Sequence, residues 1–377
     1  MLDPELRHLE FPGLSNKTYL NTAAEGIPPA SSLEAFRQYQ EDKLLGMDGR
    51  ERLFQAFDES RQSAADLLEL SAGEISFCSS TSEAYNLLAT AIDFPDGAEA
   101  ILTNLDFPSG ATPWLRHPDK PTVRLWKHRN GELAADDLKE LLNERTRLVQ
   151  VSLVSFLTGY RLEWETIRDL VREKSPQAVL SVDVTQAAGR VALDCLDADC
   201  LFASGYKWLL GSHGSCLVAI PKSSTHRLVV KAGGWYHLSN AFDEDRFERA
   251  ETFPGAAGFA VGMPSFPAIY SLKHGMDLIR SVGVKAIAAR GDQLVSQLHE
   301  GLQQLGIPTM SPHQPGNSSG IVSFQSESDA RLNAFLRERN IHVMHQAGRI
   351  RIAVHGYNTE EDISRLLAAL GEFQRTS

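Results

Sequence analysis

Basic residues are outnumbered in this chain, which has 37 lysines and arginines against 48 aspartates and glutamates and a net charge of −11. A nucleic-acid-binding protein usually presents a basic face to the phosphate backbone, so we expect no nucleic-acid partner. The chain also lacks an apolar run long enough to cross a bilayer, so we expect no membrane association. The acidic N-terminal residues lack the basic and then apolar order of a signal peptide, which predicts a cytoplasmic protein.

Cysteine is scarce, with four residues in 377, and no two of them form a C-x-x-C pair. Most lie in apolar, strand-like runs, which favours reduced and buried thiols over a disulfide framework. The 12 histidines are scattered along the chain. Because no cluster has the spacing of metal ligands, we expect no metal site.

The length exceeds what a single hydrophobic core usually holds, so two domains are expected. Residues 148–153 predict a strand and residues 162–174 a helix, and this alternation is typical of a parallel sheet. Residues 31–70 predict amphipathic helices whose apolar faces include Leu33, Phe36 and Leu44. Residues 268–305 predict one long helical stretch that leads into a smaller domain.

Two short apolar runs, 178–182 and 200–203, predict neighbouring buried strands that end at Asp183 and Ser204. In open α/β sheets, ligands bind at the carboxyl ends of parallel strands. We therefore predict that Asp183, Gln186, Ser204 and Lys207 face one crevice.

Lys207 lies between Tyr206 and Trp208, and such apolar neighbours lower the pKa of a lysine. A partly neutral amine can form a Schiff base with a carbonyl, as the lysine of pyridoxal phosphate (PLP) enzymes does. Asp183 is then the candidate partner of the pyridinium nitrogen, and Gln186 a candidate donor to the ring 3-oxygen.

The Ser-Thr-Ser-Glu segment at 80–83 has the spacing of a helix start. The free N–H groups of a helix N-terminus form a ready site for an anion. We predict that the backbone of Thr81 and Ser82, together with the Ser82 hydroxyl, binds the cofactor phosphate.

The segments D-V-T-Q-A-A-G (183–189) and S-G-Y-K-W-L-L-G (204–211) resemble the class V aminotransferase group of fold-type I PLP enzymes. This group includes cysteine desulfurases, selenocysteine lyases and isopenicillin-N-epimerase-like proteins, and the resemblance runs from about Tyr19 to the C-terminus. It implies an α/β fold with a large PLP-binding domain over 20–260 that contains a mostly parallel sheet. Residues 1–19 and 261–377 would form a smaller α+β domain, and the protein would be a homodimer.

The resemblance also assigns residues to the site. It implies that Phe107 stacks on the cofactor ring and that Arg351 binds the α-carboxylate of a small amino acid substrate. Asn21 would lie near that substrate. Ser204 and Tyr206, which precede the lysine, complete the predicted cofactor-binding set.

The implied activity is that of a PLP-dependent enzyme acting on a small α-amino acid through an external aldimine and a carbanion, in transamination or epimerisation. One alternative is a C–S or C–Se lyase that needs no protein cysteine, or a desulfurase-like enzyme. A third is a regulatory protein that keeps the fold without turnover. The family's desulfurases use a thiolate on a loop of the small domain, whereas the last cysteine here is Cys216. We therefore predict no persulfide on the protein and little desulfurase turnover.

Overall fold

The computed structural model describes residues 2–314 and 317–376. Over these residues the helices are α1 (Pro4–Glu10), α2 (Ser32–Leu44), α3 (Arg50–Leu68), α4 (Thr81–Ala91), α5 (Pro108–Leu115), α6 (Ala135–Leu141), α7 (Trp164–Lys174), α8 (Phe266–Val282), α9 (Val284–Gln304), α10 (Asp329–Glu338) and α11 (Glu360–Thr376). The strands are β1 (Thr18–Tyr19), β2 (Ile75–Cys78), β3 (Glu99–Thr103), β4 (Thr122–Trp126), β5 (Thr146–Ser152), β6 (Val179–Asp183), β7 (Cys200–Ser204), β8 (Cys216–Ala219), β9 (Ile321–Gln325), β10 (Ile341–His342), β11 (Met344–Gln346) and β12 (Arg349–Ala353).

A seven-stranded sheet with the order β2-β8-β7-β6-β5-β3-β4 forms the centre of the large part of the molecule. Its strands are parallel except β8, which runs antiparallel to both neighbours. Every residue of β6 and β7 is buried, as expected for a sheet that is covered on both faces. The architecture confirms the predicted α/β class with a mostly parallel sheet.

The C-terminal part of the chain forms a separate three-stranded antiparallel sheet with the order β11-β12-β9. Helices α9, α10 and α11 pack on this sheet, and their apolar residues share one cluster with those of β9 and β12. Strand β1 from the N-terminal region pairs in parallel with β10. The first residues of the chain therefore lie against its last third, although the predicted boundary near residue 260 stays a prediction.

Two features of the helices differ from the sequence predictions. The stretch predicted as one helix is divided into α8 and α9 at Gly283, whose φ of +87° lies in the region that favours glycine. The apolar periodicity continues across this break, which is why the pattern did not show it. Leu33 and Leu44 were predicted to face a core, but 76% and 75% of their surfaces are exposed.

One buried side chain joins the two sheets. Arg190, which follows β6 in the large part, is fully buried and donates through Nε to the Val354 carbonyl at 3.0 Å. Its Nη2 is 3.1 Å from Asp292 Oδ1 of α9. Both parts of the molecule are therefore held together beside the ends of β6 and β12.

Across the described part of the chain, no helix combines the length and the apolar character that crossing a membrane requires. Nor do three or more histidine, cysteine, aspartate or glutamate side chains come together there in a way that would hold a metal ion.

Candidate active site

The carboxyl ends of the central strands surround a narrow cleft. Most of the residues predicted for the cofactor lie on its wall, together with several that were not predicted. The lining residues are Thr81, Phe107, Ser109, Ser152, Val154, Phe156, Asp183, Thr185, Gln186, Ser204, Tyr206 and Lys207. The structure thus brings Asp183, Gln186, Ser204 and Lys207 to one crevice, as the strand ends predict.

Lys207 is a buried amine in a largely aromatic setting. Its Nζ lies 5.3 Å from the centre of the Phe107 ring and 5.5 Å from that of Tyr206. Burial lowers the pKa of the Lys207 ammonium, the charge of Asp183 opposes this shift, and the charge of Arg351 adds to it. A lowered pKa increases the fraction of neutral, nucleophilic amine at neutral pH.

The backbone at Lys207 is fixed by a close approach of the N-terminal segment. Gly26 donates its N–H to the Tyr206 carbonyl at 2.9 Å. A Cβ atom at position 26 would lie 2.0 Å from the Lys207 carbonyl oxygen, so only glycine fits there. The segment after β1 therefore covers one side of the lysine turn.

Asp183 ends β6 with its carboxylate held by two donors. The Thr185 N–H donates to Oδ1 at 2.8 Å, and the Tyr85 hydroxyl donates to Oδ2 at 3.0 Å. Hydrogen bonds to the charged form stabilise a carboxylate in a buried setting. The arrangement suits an ionised group that faces a pyridinium nitrogen.

The anion site is predicted at the start of α4, where the structure shows how the helix begins. Ser80 caps the helix by accepting from the Glu83 N–H at 3.2 Å. Within residues 2–314 and 317–376, the N–H groups of Thr81 and Ser82 have no protein acceptor. The Thr81 hydroxyl lies 3.5 Å from that of Ser204, so hydroxyls from α4 and β7 meet at this end of the cleft.

Gln186 lines the cleft, but protein groups use most of its amide. Its Oε1 accepts from the Trp208 indole at 2.6 Å, and its Nε2 donates to the Ala23 carbonyl at 3.1 Å. One Nε2 hydrogen is left for the predicted contact with the ring 3-oxygen, which stays a prediction. The two existing bonds join the lysine segment to the segment after β1.

Tyr206 lies on the outer side of the lysine. Its ring stacks on His213, with centroids 4.3 Å apart, and His213 Nε2 is 3.3 Å from a carboxylate oxygen of Glu25. Because His213 and Glu25 are exposed, this group forms the rim of the cleft.

Arg351, on β12 of the smaller sheet, contacts Phe156, which lines the cleft. It is buried, and its Nη1 donates to the Phe156 carbonyl at 2.9 Å, while its Nε has no partner within the described residues. Asn21 bridges to Ala353 at the end of the same strand, and its Oδ1 is likewise buried and unpaired there. The two predicted substrate-binding residues therefore share one strand end.

Sequence reasoning missed seven residues in or beside the cleft, namely Tyr85, Asp106, Ser109, Ser152, Val154, Phe156 and Thr185. Tyr85 follows Thr81 by one helical turn, so the periodicity of α4 carried a signal for it. Ser152 faces the cleft because β5 pairs with β6 in a register that places it opposite Asp183. Asp106 precedes Phe107, and burial and then the charge of Asp183 raise the pKa of its carboxyl to about 7.

All four cysteines are buried free thiols. Burial raises the pKa of each of them, and Cys78 and Cys216 face each other across β2 and β8. A buried thiol with a raised pKa is a poor nucleophile.

These donors fit pyridoxal phosphate. The free N–H groups at the start of α4 suit its phosphate, the held carboxylate of Asp183 suits its ring nitrogen, and the Lys207 amine suits its aldehyde. Phe107 leaves 46% of its surface exposed at the cleft, where a flat ring can stack on it.

Comparisons with known proteins identify the family to which the chain is similar. A family model described as Aminotransferase class-V matches residues 18–366. A probable cysteine desulfurase of Pyrococcus abyssi is 26% identical over 99% of this chain and 98% of the relative. The apo structure of the cysteine desulfurase from Thermococcus onnurineus NA1 superposes with a TM-score of 0.89, at 23% identity, over 100% of this chain and 99% of that one.

Two structures of the protein C-DES are also similar. The cystine C–S lyase C-DES, in complex with its reaction product cysteine persulfide, has a TM-score of 0.86 and 25% identity over 96% of this chain and 99% of that one. A variant of C-DES with glycine covalently linked to the PLP cofactor has a TM-score of 0.87, at 25% identity, over 97% of this chain and 99% of that one.

Proposed function

The chain belongs to the class-V aminotransferase family of PLP-dependent enzymes, and from this premise we propose that it is a C–S lyase that acts without a protein thiol. Its substrate is an L-cysteine derivative whose sulfur atom, attached to Cβ, carries a substituent. The observation that carries the proposal is a cleft lined by Lys207, with Arg351 bonded to the carbonyl of the lining residue Phe156, in a chain whose four thiols are all buried.

The residues of the cleft divide the work of breaking a bond at Cβ. When bound, pyridoxal phosphate supplies an electron sink that acidifies the Cα–H bond of an amino acid. Lys207 Nζ, neutral for part of the time, accepts the α-proton as a general base. Arg351 orients the α-carboxylate, and Asp183 balances the positive charge at the ring nitrogen.

The overall reaction is an elimination followed by hydrolysis. The Cβ–S bond breaks, the sulfur leaves with the bonding electron pair as R–S⁻, and a proton converts it to R–SH. Addition of one water to the remaining three carbons gives pyruvate and ammonia. Both protons and electrons balance without an external oxidant or reductant.

The buried thiols argue for this lyase rather than for a desulfurase. A desulfurase must transfer sulfur from the substrate to a protein thiolate, which has to reach the substrate sulfur. Here no cysteine follows Cys216, and burial raises the pKa of that thiol well above its ordinary value. The C–S lyase among the similar structures has cysteine persulfide as its reaction product, which is the product expected when the substrate is a disulfide.

The sequence predicts transamination or epimerisation as the main activity, and both reactions would use the same Lys207 and Arg351. The comparisons favour the alternative of a C–S lyase or a desulfurase-like enzyme, because the similar structures include a cystine C–S lyase and cysteine desulfurases. The products separate all of these activities, since pyruvate marks the lyase, alanine the desulfurase, a keto acid with retained sulfur the transaminase, and a D-amino acid the epimerase.

The test is therefore a product analysis of the purified holoenzyme with L-cystine, S-substituted cysteines and L-cysteine. We expect pyruvate and ammonia in equal amounts from the substituted substrates, and little alanine from L-cysteine. A variant with all four cysteines replaced by alanine or serine should retain this turnover. Loss of turnover in a variant that still folds and binds the cofactor, or alanine as the main product, contradicts the proposal.

A further inference from the structure

Two arginines lie side by side on one face of β12 without a protein anion. Arg349 and Arg351 occupy alternate positions of the strand, and only 6% and 2% of their surfaces are exposed. Each has a buried Nε without a hydrogen-bond partner in the described ranges. Among the same residues, no carboxylate lies within 4.0 Å of either guanidinium.

A third buried arginine in this chain, unlike these two, is paired with a protein carboxylate. The fully buried Arg190 is paired with Asp292 and bonds to the Val354 carbonyl. A buried charge without a counter-charge is costly, and leaving two of them together adds their mutual repulsion. In keeping with this, burial lowers the pKa of both guanidinium groups, and the charge of Arg349 further lowers that of Arg351, to about 9.

Both arginines are joined to the cleft through Phe156. Arg351 donates to the Phe156 carbonyl at 2.9 Å, and the Arg349 guanidinium carbon lies 6.0 Å from the centre of the Phe156 ring. That ring packs edge-on against Phe107 at 5.1 Å, and Phe107 is the neighbour of Lys207 Nζ. The arginine pair thus extends outward from the lysine.

The loop between the arginines and the lysine is fixed in place. Ser323, opposite Arg351 in β9, donates to the Leu157 carbonyl at 2.9 Å, and the Ser311 hydroxyl donates to the Thr158 carbonyl. These bonds hold residues 156–158 against the smaller sheet, on which both arginines lie. Alternate residues of a strand are about 7 Å apart, so two anionic groups at a similar separation match the pair.

We propose that Arg349 and Arg351 form a receptor for two carboxylates, and that the substrate is a dicarboxylic sulfur amino acid, namely a cysteine whose sulfur substituent ends in a carboxylate. Arg351 binds the α-carboxylate, and Arg349 binds the distal one. This proposal rests on the proposed C–S lyase function and adds to it the chemical class of the leaving group. A planar guanidinium suits a carboxylate because it can donate two parallel hydrogen bonds.

Binding of unreactive acids tests the receptor without turnover. Hexanedioate and hexanoate have the same chain length, lack the amine needed for reaction, and differ only in the second carboxylate. Isothermal titration calorimetry of the holoenzyme at fixed ionic strength should show hexanedioate binding at least tenfold more tightly than hexanoate. Equal affinities in the unsubstituted protein would overturn the proposal.

Substitutions assign the two carboxylates to the two arginines. Arg349→Met should abolish the preference for hexanedioate and leave hexanoate affinity within about twofold, whereas Arg351→Met should weaken both acids. Arg349→Lys, which keeps the charge but not the planar fork, should restore part of the preference. If Arg349→Met weakens both acids equally, the side chain serves the structure only and the proposal fails.

A fold control accompanies these variants. Removing an unpaired buried cation should not lower the thermal midpoint, so Arg349→Met is expected to fold. Arg190→Met, which breaks a paired cation, is the matched control and should lower the midpoint.

A comparison of substrates separates failure of the receptor from failure of the lyase assignment. S-carboxymethyl-L-cysteine and S-ethyl-L-cysteine differ mainly in the distal charge, and the first should have a KM at least tenfold lower with a similar kcat. Pyruvate from both substrates at equal KM would overturn the receptor and leave the lyase function in place. A hexanedioate preference without pyruvate from any sulfur amino acid would overturn the lyase function, and with it the assignment of the leaving group.

Discussion

The Tyr85 hydroxyl donates to Asp183 Oδ2 at 3.0 Å and itself accepts from Gln150 Nε2 at 3.1 Å. Tyr85 lies on α4, the helix whose N-terminus forms the candidate phosphate site. The carboxylate predicted to face the ring nitrogen and the helix predicted to hold the phosphate are thereby connected by one side chain. A cofactor bound as predicted would therefore contact, at its two ends, elements that are linked by a hydrogen bond.

Tyr85→Phe should lower the free energy of unfolding and remove one of the two hydrogen-bond donors to the Asp183 carboxylate. It removes one buried donor to Asp183 and leaves Gln150 Nε2 with the Val151 carbonyl as its one remaining acceptor in the described structure, which costs about 1–3 kcal/mol in the free energy of unfolding. We expect this loss in urea unfolding, and a changed pH dependence of the holoenzyme's visible absorption. Tyr160→Phe is the matched control, because Tyr160 is a buried tyrosine that donates to the Leu133 carbonyl instead. An unchanged absorption profile in Tyr85→Phe would argue against a role at the ring nitrogen.

Lys207→Ala should remove the covalent attachment of pyridoxal phosphate and leave the fold intact, since its Nζ makes only ring contacts in the described structure. Borohydride treatment of the unsubstituted holoenzyme, followed by peptide mass spectrometry, should place the reduced cofactor on Lys207. Lys231→Ala changes an exposed lysine paired with Asp93 and should retain the adduct. An adduct on any other lysine refutes the assignment.

Asp106 predicts an unusual pH dependence of stability. Burial and the charge of Asp183 raise the pKa of its carboxyl from 3.8 to about 7. Between these two pH values the folded protein holds a proton on Asp106 that the unfolded chain has lost. The contribution of Asp106 to the free energy of unfolding therefore falls as pH rises towards 7 and stays low above it. Asp106→Asn does not titrate, and its thermal midpoint should therefore exceed that of the unsubstituted protein by more at pH 8 than at pH 5.

The exposed Asp96 provides the control for that measurement. Asp96→Asn should shift the thermal midpoint equally little at both pH values. A difference between Asp106→Asn and the unsubstituted protein that is the same at pH 5 and pH 8 would contradict a raised pKa at Asp106.

The homodimer expected from the sequence predicts a role for the exposed apolar face of α2. Leu33 and Leu44 lie on one face of this helix, and Met47, just beyond it, exposes 73% of its surface. Large apolar patches of this kind mark interaction sites. Leu33→Glu combined with Leu44→Glu should shift sedimentation velocity from dimer to monomer, whereas Leu125→Glu on the outer strand β4 should not. A protein that sediments as a monomer without substitution excludes the dimer.

The parts of the site that the sequence predicts are those set by local pattern. Asp183 and Ser204 follow continuous apolar runs, and such runs indicate both the buried strands and their ends. Thr81 and Ser82 follow from the chemistry of a helix start. In each case the functional group lies within a few residues of the element that positions it.

The parts that the sequence does not predict depend on register and on distant partners. Ser152 reaches the cleft only because β5 and β6 pair with it opposite Asp183. The amide of Gln186 is used by Trp208 and Ala23, and no local pattern reports such partners. Leu33 and Leu44 have the period of a buried face, but the period does not say which protein surface covers them.

The pairing of β1 with β10 also sets the order of events during synthesis. The Tyr19 carbonyl accepts from Asn358 Nδ2, a residue made 339 positions later, and Arg7 bonds to the Tyr357 carbonyl in the same region. A nascent chain can complete the central sheet by residue 219, but the segment that covers Lys207 has no partner strand until β10 has left the ribosome. The bonds of Ala23 and Gly26 to the large part can form earlier, so we expect the covering segment of a ribosome-bound chain stalled before residue 341 to be held at that end only.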